Sequence, residues 1–463
     1  MSFGQSQAVP KLRLSLSLLL AACSPAKPSV EAVEAAAPAA PSDTSGVSVP
    51  STATISFREG DFEGALEEAR KSNKLLFVDG WAPWCHTCLS MRETVFPSPA
   101  LSSYSSAYVF VEIDTDRPES TRFVGSHAMR VWPTFFVIDP RTREVIASYG
   151  GSMSVEETAS FLGRGLSAAK DPGPGYAERG AAHRALLAGN ADLAIEQYRK
   201  AISVLDSGHK REAVSGLLRA FSTKKDAGGC AMAGLEHADS VVGSSAQVDV
   251  LLHLLRCAGD APADLKTRGE AFVSERLPKL VGSPPDGASI DDRSDAMGAW
   301  AGLLKKQGKD AEAIGVQRQR IAMLEAAAKS ADSPEHQQVF DYERMLAYLA
   351  ADRGEDALAM FRQRTTELPT SYEAFARYGY TLLELGRAEE ALDPIERALE
   401  LAYGPRRLRY FAMKSKALLK LGRTADAKAV LQQEVDAWKA LPLGHFDQAK
   451  VDEAQTRLAA LKD

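Results

Sequence analysis

The chain has 463 residues, 45% of them apolar and 25% charged, with 55 Lys and Arg against 61 Asp and Glu. That length exceeds one small core and implies two to four domains. The net charge of −6 supplies no basic field for nucleic acid.

Lys11 and Arg13 form a positive segment, and Leu14 to Ala22 is an apolar run of nine residues. The run is far shorter than the ~20 residues a spanning helix needs and suits a secretory leader. It ends Leu20-Ala21-Ala22-Cys23, which resembles the lipobox of bacterial lipoproteins. The resemblance implies removal of 1–22 and a lipid on Cys23. A plain cleaved leader with a chance cysteine is the other reading. Ser24 in place of aspartate leans toward the outer membrane, with the protein facing the periplasm. Residues 23–54, rich in Ala, Pro and Ser and free of aromatic side chains, read as a disordered tether.

The first folded domain is expected over 55–170. Phe62, Ala65, Leu66 and Ala69 share one face of a helix over 61–72. Lys74 to Asp79 is a buried strand. WAPWCHTC, residues 81–88, follows it and opens a helix that runs to Thr94, with Pro97 and Pro99 beyond. Strands are expected at Tyr108–Ile113, Phe135–Ile138 and Glu144–Tyr149, with a polar helix over 117–128. Ser154-x-x-Glu157 is a capping box for a last helix reaching Ala169. The order αβαβαββα implies a mixed sheet with helices on both faces.

Asp79-x-Trp81-Ala82-x-Trp84-Cys85-x-x-Cys88, then Val131-Trp132-Pro133-Thr134, then a Gly-Gly pair, together resemble the thioredoxin superfamily. The segment Thr94 to Leu101 is most similar to the C-terminal thioredoxin-like domain of the transmembrane disulfide reductases. The resemblance covers about a quarter of the chain. It implies a thiol:disulfide oxidoreductase with Cys85 as nucleophile and Cys88 as resolving thiol. It also implies Asp79 as the buried proton-transfer carboxylate and Pro133 as the cis-proline facing the cysteines. Trp84 and Trp132 would then contact substrate. Cys85 at a helix N-terminus fits a stabilised thiolate. Read blandly, Asp79 is a solvated strand-end acid and Trp81 and Trp84 are core.

His86-Thr87 replaces the family's Gly-Pro. A protonated His86 would stabilise the thiolate and move the couple in the oxidising direction; an exposed, inert ring is the alternative. A zinc site needs four ligands, and Cys85, Cys88, His86 and His127 are the local set, with no second C-x-x-C in the chain. No metal or cofactor is expected.

Lys170 to Gly175 reads as a hinge, and 176–463 as all-helical. Gly189, Gly386 and Gly422 each precede an alanine by five residues (Ala194, Ala391, Ala427), with a larger apolar residue four further on. Ala357 and Phe361 fit the same frame 34 residues before Ala391. Gly308 and Ala313 open a weaker unit, and 209–290 is too degenerate to place. Residues 446–461 read as a capping helix. The pattern resembles the tetratricopeptide repeat, a solenoid of antiparallel helix pairs that binds proteins or peptides. The repeats could also serve only as a spacer. Cys230 and Cys257 fall near the start of one expected helix and the end of the next, which predicts a structural disulfide; two free thiols are the alternative. His183, His209, His237, His253, His336 and His445 are scattered.

The expected function is a membrane-anchored oxidoreductase acting on thiols or disulfides of envelope proteins. A redox partner would recycle it, and a protein or peptide would occupy the repeat groove. The competing reading is a non-catalytic adaptor with a vestigial redox fold.

Overall fold

The computed structural model describes residues 54–127, 129, 131–170, 173–241, 245–285 and 288–461. The leader over 1–22, the lipidation site Cys23 and nearly all of the 23–54 tether lie outside the described residues. None of the described helices is long and apolar enough to cross a membrane.

Five strands form one sheet in the order β1-β3-β2-β4-β5. They are β1 (Phe57–Glu59), β2 (Leu75–Trp81), β3 (Tyr108–Asp114), β4 (Thr134–Ile138) and β5 (Val145–Gly150). β3 runs parallel to β1 and β2, whereas β4 is antiparallel to both β2 and β5. Side chains alternate between faces. Leu76 and Val78 meet α1 (Phe62–Ser72), while Phe77 meets Phe110, Phe135 and Phe161 on the other side. Asp79 follows Phe77 by two and shares its face, ahead of α2 (His86–Ser90) in the chain. α3 (Thr121–Ser126) lies on the α1 side and α4 (Val155–Ala168) on the Phe77 side, opened by the Ser154–Glu157 capping box.

Three local features depart from the sequence expectation. β1 is an added edge strand of only three residues, too short for a periodic signal. The helix expected over 117–128 is a 3-10 turn at Pro118–Ser120 followed by α3. The helix carrying the cysteines changes to a π turn at Met91–Val95.

Beyond residue 175 the chain is helical. Antiparallel pairs are α5 (Tyr176–Leu187) with α6 (Ala191–Val204), and α7 (Ser207–Lys224) with α8 (Ala227–His237). α9 (Ser245–Asp260) and α10 (Ala263–Gly282) follow, then α11 (Ile290–Lys306) with α12 (Asp310–Ser330). After the short α13 (Pro334–Gln338) come α14 (Asp341–Ala350) with α15 (Gly354–Glu367), α16 (Tyr372–Glu384) with α17 (Ala388–Leu401), and α18 (Gly404–Lys420) with α19 (Thr424–Lys439). α20 (Gln448–Ala459) places Val451 and Ala454 over Val435 and Trp438 and closes the array.

The turn inside a pair needs one residue at positive φ, and glycine takes it without strain at 189, 308, 386 and 422. Asp352 occupies the same place before Ala357, and Lys225 before Cys230. The degenerate stretch therefore contains a unit in the common frame, with lysine for glycine and a fully buried cysteine for alanine. Cys230 and Cys257 are joined as a disulfide between α8 and α9.

Candidate dithiol site

β2 delivers the chain to the top of the sheet at Trp81, and a tight turn follows in which Cys85 N–H donates to Ala82 O at 3.0 Å. Cys85 caps α2 in an extended conformation, and the Cys88 N–H donates to its Sγ at 3.0 Å. The two cysteines are joined as a disulfide. Cys88 is fully buried, and Cys85 is only 4% exposed. Such a backbone N–H is available to hold a sulfur anion once the bond is reduced.

The loop before β4 faces the pair. The Trp132–Pro133 peptide is cis. Thr87 Oγ1 donates to the Trp132 carbonyl at 3.3 Å and lies 3.3 Å from Cys85 Sγ, tying α2 to the proline loop. Trp84 and Trp132 pack with ring centroids 5.1 Å apart. Trp84 Nε1 donates to Asp116 Oδ2 at 2.8 Å, and Trp132 Nε1 to Thr115 Oγ1 at 2.8 Å. Burial pushes the Asp116 carboxyl up to about 7, against the pull of the Trp84 N–H.

Asp79 is fully buried with neither carboxylate oxygen hydrogen-bonded. Burial, reinforced by the nearby Glu112 carboxylate, holds its pKa well above the ordinary range. Glu112 pairs with Arg92 at 3.2 Å, whose guanidinium lies 4.1 Å over the Trp81 ring. Asp79 is thus a carboxyl in an apolar setting and not a solvated strand-end acid.

The helical array forms the outer wall of this site. Arg377 of α16 donates through Nη2 to the Trp84 carbonyl at 3.2 Å. Arg406 of α18 stacks 4.9 Å over the Trp84 ring. Both guanidiniums pair with Glu373, which burial alone would raise but which Arg406 and Arg377 hold low. Tyr403 donates to Asp114 Oδ2 at 2.5 Å, and His445 Nε2 donates to Thr115 O at 2.8 Å. The first helix of successive pairs (α14, α16, α18) therefore faces the sheet domain. Trp84 packs against an apolar cluster of α15 to α18, and Leu89 against one of α12 to α15.

His86 differs most from expectation. Its ring packs 4.9 Å from Tyr342 and its Nε2 lies 3.6 Å from Glu343 Oε1. Burial lowers its pKa to about 4, Glu343 opposing and Arg377 assisting. With the disulfide closed the ring is held neutral by its burial. His127 stacks on Phe123 at 4.5 Å and does not join the cysteines. Among the described residues the one cluster of three metal-type ligands is Cys230, His253 and Cys257, two of which are already bonded to each other. A cavity of about 1030 Å³ lies away from the dithiol, between β5 and α5 to α7, lined by Arg179, His183 and Arg219.

Asp116, Arg377, Arg406 and His445 escaped the sequence reading. The cysteines, tryptophans and proline carry local motifs; these four reach the site only through tertiary packing.

Comparison with known proteins adds a family description of thioredoxin-like proteins that matches residues 58–140. Thioredoxin-1 of Drosophila melanogaster is 32% identical over 92 residues, 20% of this chain and 78% of that protein. Among solved structures, a tetratricopeptide repeat protein from Parabacteroides merdae is 9% identical with a TM-score of 0.38, covering 62% of this chain and 98% of its own. A thermophilic tetratricopeptide protein of Thermus thermophilus is 16% identical with a TM-score of 0.28, covering 53% and 99%.

Proposed function

Since the chain belongs to the thioredoxin family, we propose that it is a thiol:disulfide oxidoreductase acting through Cys85 and Cys88, with the repeat array helping to select its partner. The observation that carries this reading is the placement of Cys85 at the α2 cap, with the Cys88 N–H on its sulfur and the Trp132–Pro133 loop tied to the same turn.

In the reduced protein the Cys85 thiolate attacks one sulfur of a client disulfide. A Cys85–client bond forms and one client sulfur leaves as thiolate. Cys88, deprotonated by Asp79, then attacks Cys85 Sγ and releases the second client sulfur. Two electrons pass to the client, and the Cys85–Cys88 disulfide is restored. Run backward, the same steps oxidise a client dithiol. Trp84 is covered by Arg406 and the helical cluster, which favours a packing role for it, and the backbone beside Trp132 and Pro133 is the edge along which an extended client chain would pair. We further propose an exported lipoprotein anchored through Cys23, facing envelope thiols and recycled by a separate redox protein.

The test is a glutathione-buffer titration of the full chain, read by mass shift at Cys85 and Cys88. A potential near −270 mV makes it a reductase, and one above about −180 mV an oxidant or isomerase. Absence of any reversible titration overturns the reading. The burial of Cys85 favours one alternative, an adaptor whose disulfide stays closed. The Cys88→Ala variant separates the two: an enzyme accumulates a mixed disulfide at Cys85, whereas the adaptor keeps its partners and forms none.

A further inference from the structure

We propose that Arg377, supplied by α16 of the repeat array, is the cation that tunes the Cys85 thiolate and the potential of the Cys85–Cys88 couple. The inference rests on the oxidoreductase reading above and assigns the tuning role to a residue 289 positions beyond Cys88 in sequence.

The geometry begins with the Trp84 carbonyl. Arg377 Nη2 donates to it at 3.2 Å, so the guanidinium lies against the peptide unit that joins Trp84 to Cys85. Arg377 is 6% exposed, and its Nη1 has no hydrogen-bond partner. A buried guanidinium with an unsatisfied N–H is costly in a resting structure. The cost is recovered when an anion appears nearby, and reduction of the Cys85–Cys88 bond creates one.

The surrounding charges leave this cation uncancelled. Glu373 pairs with Arg377 Nε at 3.2 Å, but also with Arg406 Nε at 2.8 Å and with the Tyr410 hydroxyl. Two carboxylates, Glu373 and (once ionised) Asp116, face three guanidiniums, Arg377, Arg406 and Arg409, a net charge of about +1. On α14, Glu343 is engaged by Arg320 at 2.5 Å, and the Tyr342 ring lies 5.4 Å from the Arg377 guanidinium. His86 on α2 is neutral while the disulfide is closed. Asp116, behind Trp84, is held by the indole N–H. Asp79 lies on the sheet side of α2, with Glu112 beyond it paired to Arg92. In a site this dry, a single positive charge is poorly screened. The cation at the Trp84–Cys85 peptide is thus supplied by the array.

The redox consequence follows from charge balance. The disulfide is neutral, and two-electron reduction yields Cys88 as thiol and Cys85 as thiolate with uptake of one proton. Stabilising that thiolate favours the reduced state and raises the potential.

The experiment uses the full chain. Arg377→Gln keeps a donor for the Trp84 carbonyl but removes the charge; Arg377→Lys keeps the charge. Two readouts are taken: the glutathione equilibrium constant at pH 8, and the Cys85 thiolate pKa by thiolate absorbance in a Cys88→Ser background. Arg377→Gln is expected to shift the equilibrium about tenfold toward the disulfide, about 30 mV, and to raise the Cys85 pKa by about one unit. Arg377→Lys should recover most of both. A purely structural role would lower the melting temperature and leave both readouts in place, and that result overturns the proposal. If Arg377→Gln does not fold, Glu373→Gln decides, because it frees the cation and must move both readouts the opposite way. A wild-type chain with no reversible couple but a low Cys85 pKa that rises in Arg377→Gln would sink the enzymatic reading and the tuning of the potential, and would uphold Arg377 as the cation of the Cys85 thiolate. An unperturbed pKa in both sinks the proposal.

Discussion

The His445 ring donates from Nε2 to the Thr115 carbonyl at 2.8 Å, joining residues 330 apart in sequence. Beside it, backbone approaches backbone: a Cβ on Gly444 would sit 2.0 Å from the Thr121 carbonyl oxygen. Nothing at that contact is the flexible end of a side chain. The closeness of the two halves at this corner therefore depends on glycine.

Gly444→Ala is expected to wedge the array away from the sheet domain. The loss should be roughly 1–3 kcal/mol, read as a lower melting temperature and as faster alkylation of Cys85 after mild reduction. An unchanged melting temperature with unchanged alkylation would show that the corner does not hold the halves together.

Asp116 gives a pH signature. Its folded pKa, raised to about 7, lies above the unfolded carboxylate value. The folded state therefore binds the extra proton between those values, and the stability it contributes at low pH is lost as pH rises through about 7. Asp116→Asn keeps an acceptor for Trp84 Nε1 and cannot ionise. It should match the wild type in stability near pH 4 and exceed it at pH 8 by at least about 1 kcal/mol, measured by urea unfolding at both values.

Asp79 obeys the same sign, because its pKa is also raised. Asp79→Asn should stabilise the fold above neutral pH while slowing release of the mixed disulfide about tenfold to a hundredfold. Unfolding curves and single-turnover kinetics read the two effects separately. A faster or unchanged release step would remove Asp79 from the proton path.

The Cys230–Cys257 disulfide encloses a sequence separation of 27. By the loop-entropy relation, its removal should cost about 3–4 kcal/mol. The double Cys→Ser variant would show this as a lower urea midpoint, with the dithiol at 85 and 88 still titrating. A loss below about 1 kcal/mol would mean that packing alone fixes α8 against α9.

Legibility followed range. Cys85, Cys88 and Pro133 lie within motifs of a few residues, and the strand that carries Asp79 announces itself by its apolar run. The repeat frame was readable where glycine and alanine hold the small positions. It faded over 209–290, where Lys225 takes the left-handed turn and Cys230 the close-packed site. β1 is too short to leave a period. The protonation of His86 depends on what covers it, and Tyr342 and Glu343 are more than 250 residues away, beyond the reach of any local motif. Arg377 and Arg406 look like ordinary helical arginines until the fold sets them on Trp84.

The wall of the dithiol site is also a matter of time. The cysteines at 85 and 88 leave the ribosome long before Tyr342, Arg377 and Arg406 exist. At ordinary elongation rates the gap is on the order of tens of seconds. During that interval the pair has no roof, and its thiols meet whatever folding catalyst, metal or stray disulfide is at hand. A newborn molecule is thus chemically a different object from the finished one, and its reactivity is curtailed by the arrival of its own last third.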